Sequence, residues 1–107
     1  MNIEEMQRRA GTASRFLKSL ANEYRLLVLC QLTSEEKSVG QLEDLVGITQ
    51  SALSQHLARL RRDGLVKTRR QGQTIFYSLA SDEALQLVRL TYNLFCAPGE
   101  QHDETPD

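Results

Sequence analysis

Apolar side chains recur at helical spacing over most of this chain. They predict a first helix over about residues 3–20, a second from a cap at Asn22 to about residue 32, and a last one from a cap at Ser81 to about residue 96. In the first helix the apolar positions three or four residues apart are Met6, Ala10, Ala13, Leu17 and Leu20. The last helix is apolar around much of its circumference, so we expect it to pack against a partner.

Residues 38–64 predict two short helices joined by a tight turn. The first ends at Gly47, and Thr49 is the expected cap of the second because its hydroxyl can accept hydrogen bonds from free backbone amides. In the second helix Leu53, Leu57 and Leu60 recur at i, i+4 and i+7, so they form one stripe that packs inward. This arrangement is a helix-turn-helix.

The second of these helices is followed by a pattern typical of a β-hairpin. Gly64 is the expected end of the helix, and residues 65–70 and 73–79 are predicted strands joined at Gln71-Gly72. The order is therefore four helices, two strands and a last helix. The predicted fold class is mainly α with a β-hairpin wing, a winged helix-turn-helix.

The polar side of the second helix carries side chains that can reach base edges and phosphates in a DNA major groove. An ordinary solvated helix face is the alternative interpretation of that side alone. The residues expected to read bases or adjacent phosphates are Ser51, Ser54, Gln55 and Arg59, with Gln50 at the start of the helix. Those expected to hold the DNA backbone are Arg62, Lys67, Arg69, Arg70 and Gln73. His56 lies toward the leucine side, so we expect it to be structural or to contact a phosphate.

Charge supports DNA binding locally rather than globally. The 107-residue chain has a formal net charge of -1. Between residues 59 and 70 the charged side chains are Arg59, Arg61, Arg62, Lys67, Arg69 and Arg70 against Asp63, a net charge of +5. Such a concentrated basic patch is the expected footprint of phosphate binding, and it argues against a protein-interaction module that leaves DNA untouched.

The length predicts one domain, which we place at residues 1–97. Residues 98–107 carry acids and neither Lys nor Arg, so we expect an acidic, disordered tail. The sequence has no stretch apolar enough to cross a bilayer and no signal-peptide pattern at its start, so no membrane partner and a cytoplasmic location are expected.

The first and last helices are the predicted dimer interface, because the central helices are occupied by the DNA-reading unit. A two-fold homodimer would present two recognition helices about one DNA turn, ~34 Å, apart. The expected DNA partner is therefore a double-stranded operator with an inverted repeat.

Two runs, LSQHLARLRRDGLV at residues 53–66 and RRQGQTIFYSL at residues 69–79, resemble the ArsR/SmtB family of bacterial winged-helix repressors. The resemblance extends to LANEYRL at residues 20–26 and SVGQL at residues 38–42. It implies a homodimeric, ligand-controlled DNA-binding regulator and no enzymatic activity.

Many family members release DNA when a metal binds, but this chain departs from their metal sites. Where some members carry clustered cysteines it has Ser38, Gly40 and Gln41, and in the last helix Asp82 is present but Ala84 replaces a histidine ligand. A zinc or copper site needs three or four ligands brought together. We therefore expect no metal site and no cofactor, with a metal-responsive repressor using Cys30, Cys96 and His102 as the alternative.

The two cysteines are predicted to be reduced thiols in the cytoplasm. From the residues alone, packing as small hydrophobic side chains is the simpler interpretation. The resemblance, however, is to a subgroup with paired cysteines that responds to reactive sulfur or oxidants and includes HlyU-type regulators and sulfide-responsive biofilm repressors. It implies that Cys30 and Cys96 are redox-sensing and that reactive sulfur or an oxidant is the inducer. A small thiol enzyme is a remote alternative, because the sequence has no CxxC or other nucleophile motif.

Overall fold

The computed structural model describes residues 1–96, and the predicted acidic tail lies outside these described residues. The helices are α1 (Ile3–Leu20), α2 (Glu23–Gln31), α3 (Val39–Val46), α4 (Gln50–Arg62) and α5 (Asp82–Cys96). The strands are β1 (Lys37–Ser38), β2 (Val66–Gln71) and β3 (Thr74–Leu79). The predicted winged helix-turn-helix, mainly α with a hairpin wing, is confirmed. Within residues 1–96, no helix is both long and apolar enough to span a bilayer.

Side-chain caps begin α2, α4 and α5 where the sequence predicts them. Asn22 accepts hydrogen bonds from the backbone amides of the first turn of α2, Thr49 accepts one from Ala52, and the Ser81 hydroxyl accepts one from Ala84. Ser38 and Gln41 form a capping box at the start of α3. Each cap satisfies amides that the helix itself leaves unpaired, so these helix starts are fixed by local sequence.

Glycines with positive φ make the sharp turns of the DNA-reading unit. Gly47 (φ 79°) joins α3 to α4, and Gly64 (φ 80°) follows the end of α4. Gly72 (φ 63°) begins the two-residue turn between β2 and β3. The predicted turn at Gln71-Gly72 is therefore one residue early, because Gln71 still pairs with Thr74.

A third strand joins the wing to the helices, and the sequence did not predict it. The two-residue β1 pairs antiparallel with β3, with Lys37 opposite Tyr77 and Ser38 opposite Phe76. The sheet order is β1-β3-β2. Because β1 leads directly into α3, the wing is hydrogen-bonded to the start of the helix-turn-helix.

The apolar core lies where α2, α3, α4 and α5 meet. The predicted stripe of Leu53, Leu57 and Leu60 is at most 1% exposed, which confirms that this side of α4 packs inward. The other core residues are Leu20, Val28, Leu29, Leu32, Leu42, Leu65, Val66, Ala84 and Val88. Burial of α4 on this side leaves its polar side facing solvent.

Candidate nucleic-acid interface and thiol site

The exposed side of α4 carries short polar side chains. Gln50, Ser51, Ser54 and Gln55 are all exposed, and Ala58 continues the same surface. None of the four polar side chains forms a hydrogen bond to another side chain within residues 1–96. Their donors and acceptors are therefore available to the edges of bases in a major groove.

The arginines at the end of α4 differ in whether they contact an acidic side chain. Arg59 contacts Asp63 at 3.4 Å, and Arg62 approaches the other oxygen of that carboxylate at 3.6 Å. Arg61 is exposed and has no acidic partner among residues 1–96. Arg61 is part of the predicted basic patch but is not among the predicted DNA contacts, although it lies seven residues after Ser54 and therefore on the same part of the α4 surface.

An open groove connects α4 to the wing. It has a volume of about 480 Å³ and is lined by Val39, Ser54, Leu57, Ala58, Arg61, Arg62 and Tyr77. Ser54 and Arg62, both predicted DNA contacts, lie in this groove together with Arg61. The groove therefore brings the base-reading surface of α4 next to the sheet.

His56 points away from the exposed side of α4. It is half-buried, its Nδ1 lies 3.5 Å from a guanidinium nitrogen of Arg25, and its ring centre is 6.1 Å from that of Tyr24. Burial lowers the pKa of His56, and the charge of Arg25 lowers it further. These contacts join α4 to α2, which agrees with the structural role considered for this residue.

The basic residues of the wing differ in whether an acidic side chain neutralises them. Lys67 and Arg70 are exposed on β2 without an acidic partner in residues 1–96, and Gln73 is exposed in the hairpin turn. Arg69 instead donates hydrogen bonds to Glu36 at 2.9 and 3.1 Å, and its guanidinium carbon lies 4.6 Å above the ring centre of Phe76. Arg69 thus links the wing to the segment before β1.

Two polar contacts fix α1 against the DNA-reading unit. The Ser19 hydroxyl donates a hydrogen bond to the Asp63 carboxylate, which lowers the pKa of Asp63, as do Arg59 and Arg62, while burial acts in the opposite direction. Buried Arg25 donates to the backbone oxygens of Ser19 at 2.7 Å and Lys18 at 3.2 Å. Arg25 therefore supplies donors to two carbonyls at the end of α1, in addition to the Ala21 amide that donates to Lys18.

The two cysteines are free thiols on α2 and at the end of α5. Cys30 is half-buried and Cys96 is exposed. Burial raises the pKa of the Cys30 thiol, and the negative charge of a Cys96 thiolate raises it further. A Cys96 thiolate therefore lies close enough to Cys30 to affect the ionisation of the Cys30 thiol.

An open pocket of about 470 Å³ adjoins Cys30. Its walls come from the end of α2 and from α5, and they consist of Cys30, Thr33, Val88, Arg89, Tyr92 and Asn93. Within residues 1–96, no three His, Cys, Asp or Glu side chains come together as a metal-binding group. His102, the third ligand of the metal-responsive alternative, lies outside the described residues.

Large apolar side chains remain exposed on α1 and α5. On α5, Leu90, Leu94 and Phe95 are 51%, 59% and 68% exposed. On α1 the exposed apolar residues are Ile3, Met6 and Leu17. Both helices thus present an apolar surface that the other residues of the described range 1–96 do not cover.

Known proteins resemble this chain over nearly its whole length. The arsR family of bacterial regulatory proteins matches residues 22–68. The transcriptional activator HlyU of Vibrio cholerae is 50% identical over 90% of this chain and 89% of its own length. The structure of reduced HlyU from Vibrio cholerae superposes with a TM-score of 0.82 at 49% identity, over 87% of this chain and 98% of that one.

Two further structures extend the comparison. The transcriptional repressor BigR from Xylella fastidiosa has a TM-score of 0.86 at 45% identity, covering 91% of this chain and 99% of that one. The homodimeric winged helix-turn-helix domain Mb0332 from Mycobacterium bovis has a TM-score of 0.70 at 29% identity, covering 80% and 83%. The overall fold agrees with these relatives, and the chain belongs to the arsR family of bacterial regulatory proteins as a DNA-binding transcriptional regulator.

Proposed function

We propose that this regulator binds an inverted-repeat operator as a homodimer and that thiol chemistry at Cys30 and Cys96 controls its affinity for DNA. The observation that carries the proposal is the position of the two thiols. Cys30 lies on α2 and Cys96 at the end of α5, and the charge of a Cys96 thiolate raises the pKa of Cys30.

The uncovered apolar surfaces of α1 and α5 support the homodimer. Burying Leu94 and Phe95 against a second copy would remove apolar area from water, which is favourable by about 25 cal/mol per Å². The homodimeric relative Mb0332 has the same fold. In such a dimer, α5 belongs both to the interface and to the thiol site, so a change at Cys96 would alter how the two recognition helices are spaced.

The two thiols have different roles in the proposed reaction, because Cys96 is exposed and the pKa of Cys30 is raised. Cys96 is exposed and meets a reagent first, whereas the raised pKa of Cys30 leaves less of it as the nucleophilic thiolate. With an organic persulfide, the Cys96 thiolate attacks the outer sulfur, forms a Cys96 persulfide and releases the organic thiol. The Cys30 thiolate then attacks the Cys96 sulfur and expels hydrosulfide, which forms a disulfide. With peroxide, Cys96 becomes a sulfenic acid and the attack by Cys30 releases water.

Mass spectrometry tests this chemistry without knowledge of the operator. We expect reduced protein treated with an organic persulfide, or separately with peroxide, to give a peptide that links Cys30 to Cys96. Cys30→Ser should stop at a Cys96 persulfide or sulfenic acid, whereas Cys96→Ser should react much more slowly. Two independently alkylatable thiols after both treatments would refute the thiol switch, and a zinc titration of the reduced protein would follow.

The DNA surface is expected to separate base reading from backbone contact. Gln55→Ala should cost about 1–3 kcal/mol at particular base pairs, because an amide on an exposed recognition surface can pair with one base edge. Arg70→Ala should weaken binding to all sequences and reduce the slope of log affinity against log salt by about 0.9. Binding is measured by fluorescence anisotropy on a selected site and on random duplex DNA.

Arg69→Ala is the matched control for Arg70→Ala. Glu36 already neutralises Arg69, so its loss should reduce the salt slope less than the loss of Arg70 does. Equal slopes for the two variants would contradict this difference. Equal losses on selected and random DNA for Gln55→Ala would show that this residue does not read bases.

A further inference from the structure

A second pocket, distant in sequence from both cysteines, lies between α1 and the end of α4. It has a volume of about 330 Å³. One wall is a single face of α1, with residues at i, i+3, i+4 and i+7: Thr12, Arg15, Phe16 and Ser19. The remaining lining residues are Lys18, Arg59, Arg62, Asp63 and Leu65. The exposed apolar residues Met6 and Leu17 lie on another face of α1, so the pocket is separate from the proposed dimer surface.

The pocket has an excess of positive charge. Its charged residues are Arg15, Lys18, Arg59 and Arg62 against Asp63, which gives +4 and -1, a net +3. Asp63 is already engaged by the Ser19 hydroxyl, by Arg59 at 3.4 Å and by Arg62 at 3.6 Å. Arg15 and Lys18 have no carboxylate partner within residues 1–96, so two cations of the pocket lack a counter-charge.

The cations of the pocket are not needed to bind the free carbonyls at the ends of α1 and α4. Basic residues often offset the negative end of a helix dipole. At the end of α1, however, buried Arg25 already donates to the carbonyls of Lys18 and Ser19. At the end of α4, backbone amides of Gly64 and Leu65 donate to the carbonyls of Arg61 and Leu60. Much of the positive charge is therefore available to a ligand.

The pocket also has an apolar wall. Leu65 is buried and Phe16 is half-buried, and both line the same space as the cations. We propose that the pocket binds a small organic dianion, such as a phosphate monoester. Its charged group would lie among Arg15, Lys18 and the α4 arginines, with its apolar part on Phe16 and Leu65. Guanidinium groups bind phosphate through paired hydrogen bonds, which suits them to this ligand class.

Such a ligand would act on DNA binding independently of the thiols. Arg59 and Arg62 line the pocket and are also predicted DNA contacts. A dianion bound there competes with DNA phosphates for the same two guanidinium groups. The proposal therefore gives the regulator a second input, located between the proposed dimer helix and the recognition helix.

Phenyl phosphate is a suitable probe because it combines a dianion with an aromatic ring. In two-dimensional amide NMR of the reduced full chain at constant ionic strength, it should shift the backbone signals of Ser19 and Asp63 in a saturable manner. Inorganic phosphate should bind more weakly, and phenol should not bind. Phenyl phosphate should also lower affinity for duplex DNA equally before and after both thiols are alkylated.

Removing the unpaired cations tests the location of the site. Arg15→Gln and Lys18→Gln together should weaken phenyl phosphate binding by at least about ten-fold, because the double variant loses two charge-assisted contacts to the dianion. Arg8→Gln is the control, since Arg8 pairs with Glu5 on α1 outside the pocket. The same amide spectra show that each variant is folded.

Three outcomes would overturn the proposal. Sodium chloride at equal ionic strength could produce the same shifts, which would indicate screening alone. The double variant could bind phenyl phosphate as tightly as the unmodified chain. Finally, duplex DNA could shift Ser19 and Asp63 while phenyl phosphate does not, which would make the pocket part of the DNA surface.

Discussion

Helices α4 and α5 have 13 and 15 residues, but of these two only α4 has its whole apolar side buried by residues 1–96. Leu53, Leu57 and Leu60 are almost completely buried, and the opposite side of α4 is polar. In α5, Ala84 and Val88 are buried in the first half, whereas Leu94 and Phe95 are exposed near the end. The apolar side of α4 is thus covered within residues 1–96, whereas the apolar end of α5 is left exposed by them.

The largest effect expected from this comparison is on folding. Leu57→Ala should lower the free energy of unfolding by about 2–5 kcal/mol, because it leaves a cavity in the core. Leu94→Ala is the matched control on α5 and should change it by less than about 0.5 kcal/mol in the dissociated chain. Urea unfolding at low protein concentration measures both. Similar losses for the two variants would show that α5 is completed within one chain.

The next effect is on association. Leu94→Glu should raise the dissociation constant of the proposed homodimer at least about a hundred-fold, because burying an unpaired carboxylate costs several kcal/mol. Gln86→Lys, at an exposed position in the first half of α5, is the control and should leave association unchanged. Sedimentation velocity over a concentration series gives the constants. An unaffected dimer in the Leu94→Glu variant would move the interface elsewhere.

The smallest effect concerns how the end of α4 is attached to α1. Asp63→Asn should reduce stability at neutral pH by about 1 kcal/mol, the scale of a partly exposed charged contact. Because the Ser19 hydrogen bond and the arginines lower the pKa of Asp63, its contribution is present above its unfolded value of about 3.9 and is lost as pH falls through the lower folded value.

The gap in stability between the variant and the unmodified chain should therefore close below about pH 4. Thermal unfolding from pH 7 downward measures that gap. Asp44→Asn serves as the control, since Asp44 is exposed on α3 and forms no ion pair among residues 1–96. A constant gap at every pH would mean that the charge of Asp63 is not the cause.

Local sequence was sufficient for the features that depend on neighbouring residues. Thr49 and Ser81 cap helices because they accept bonds from amides three residues later, and Gly64 ends α4 with a positive φ. The burial of Leu53 and Leu57 follows from helical periodicity. These predictions needed no knowledge of distant contacts.

Features that depend on distant residues could not be predicted in this way. Strand β1 exists because Lys37 pairs with Tyr77, 40 positions along the chain. Arg69 was expected to hold DNA, but the pattern could not show that Glu36 lies within hydrogen-bonding distance. The contact of Ser19 with Asp63 spans 44 positions and likewise has no local signal. The predicted DNA and redox residues thus stay predictions, although the structure shows which of them are exposed.

The placement of Cys30 and Cys96 on two helices has a thermodynamic consequence for regulation. If a bridge between them lowers affinity for an operator, linkage requires that operator binding stabilise the reduced thiols by the same free energy. Each ten-fold difference in affinity then raises the midpoint reduction potential of the bound protein by about 30 mV. Operators for which oxidation costs more affinity would therefore be released only under more oxidising conditions, so one pair of cysteines could set graded thresholds across several promoters.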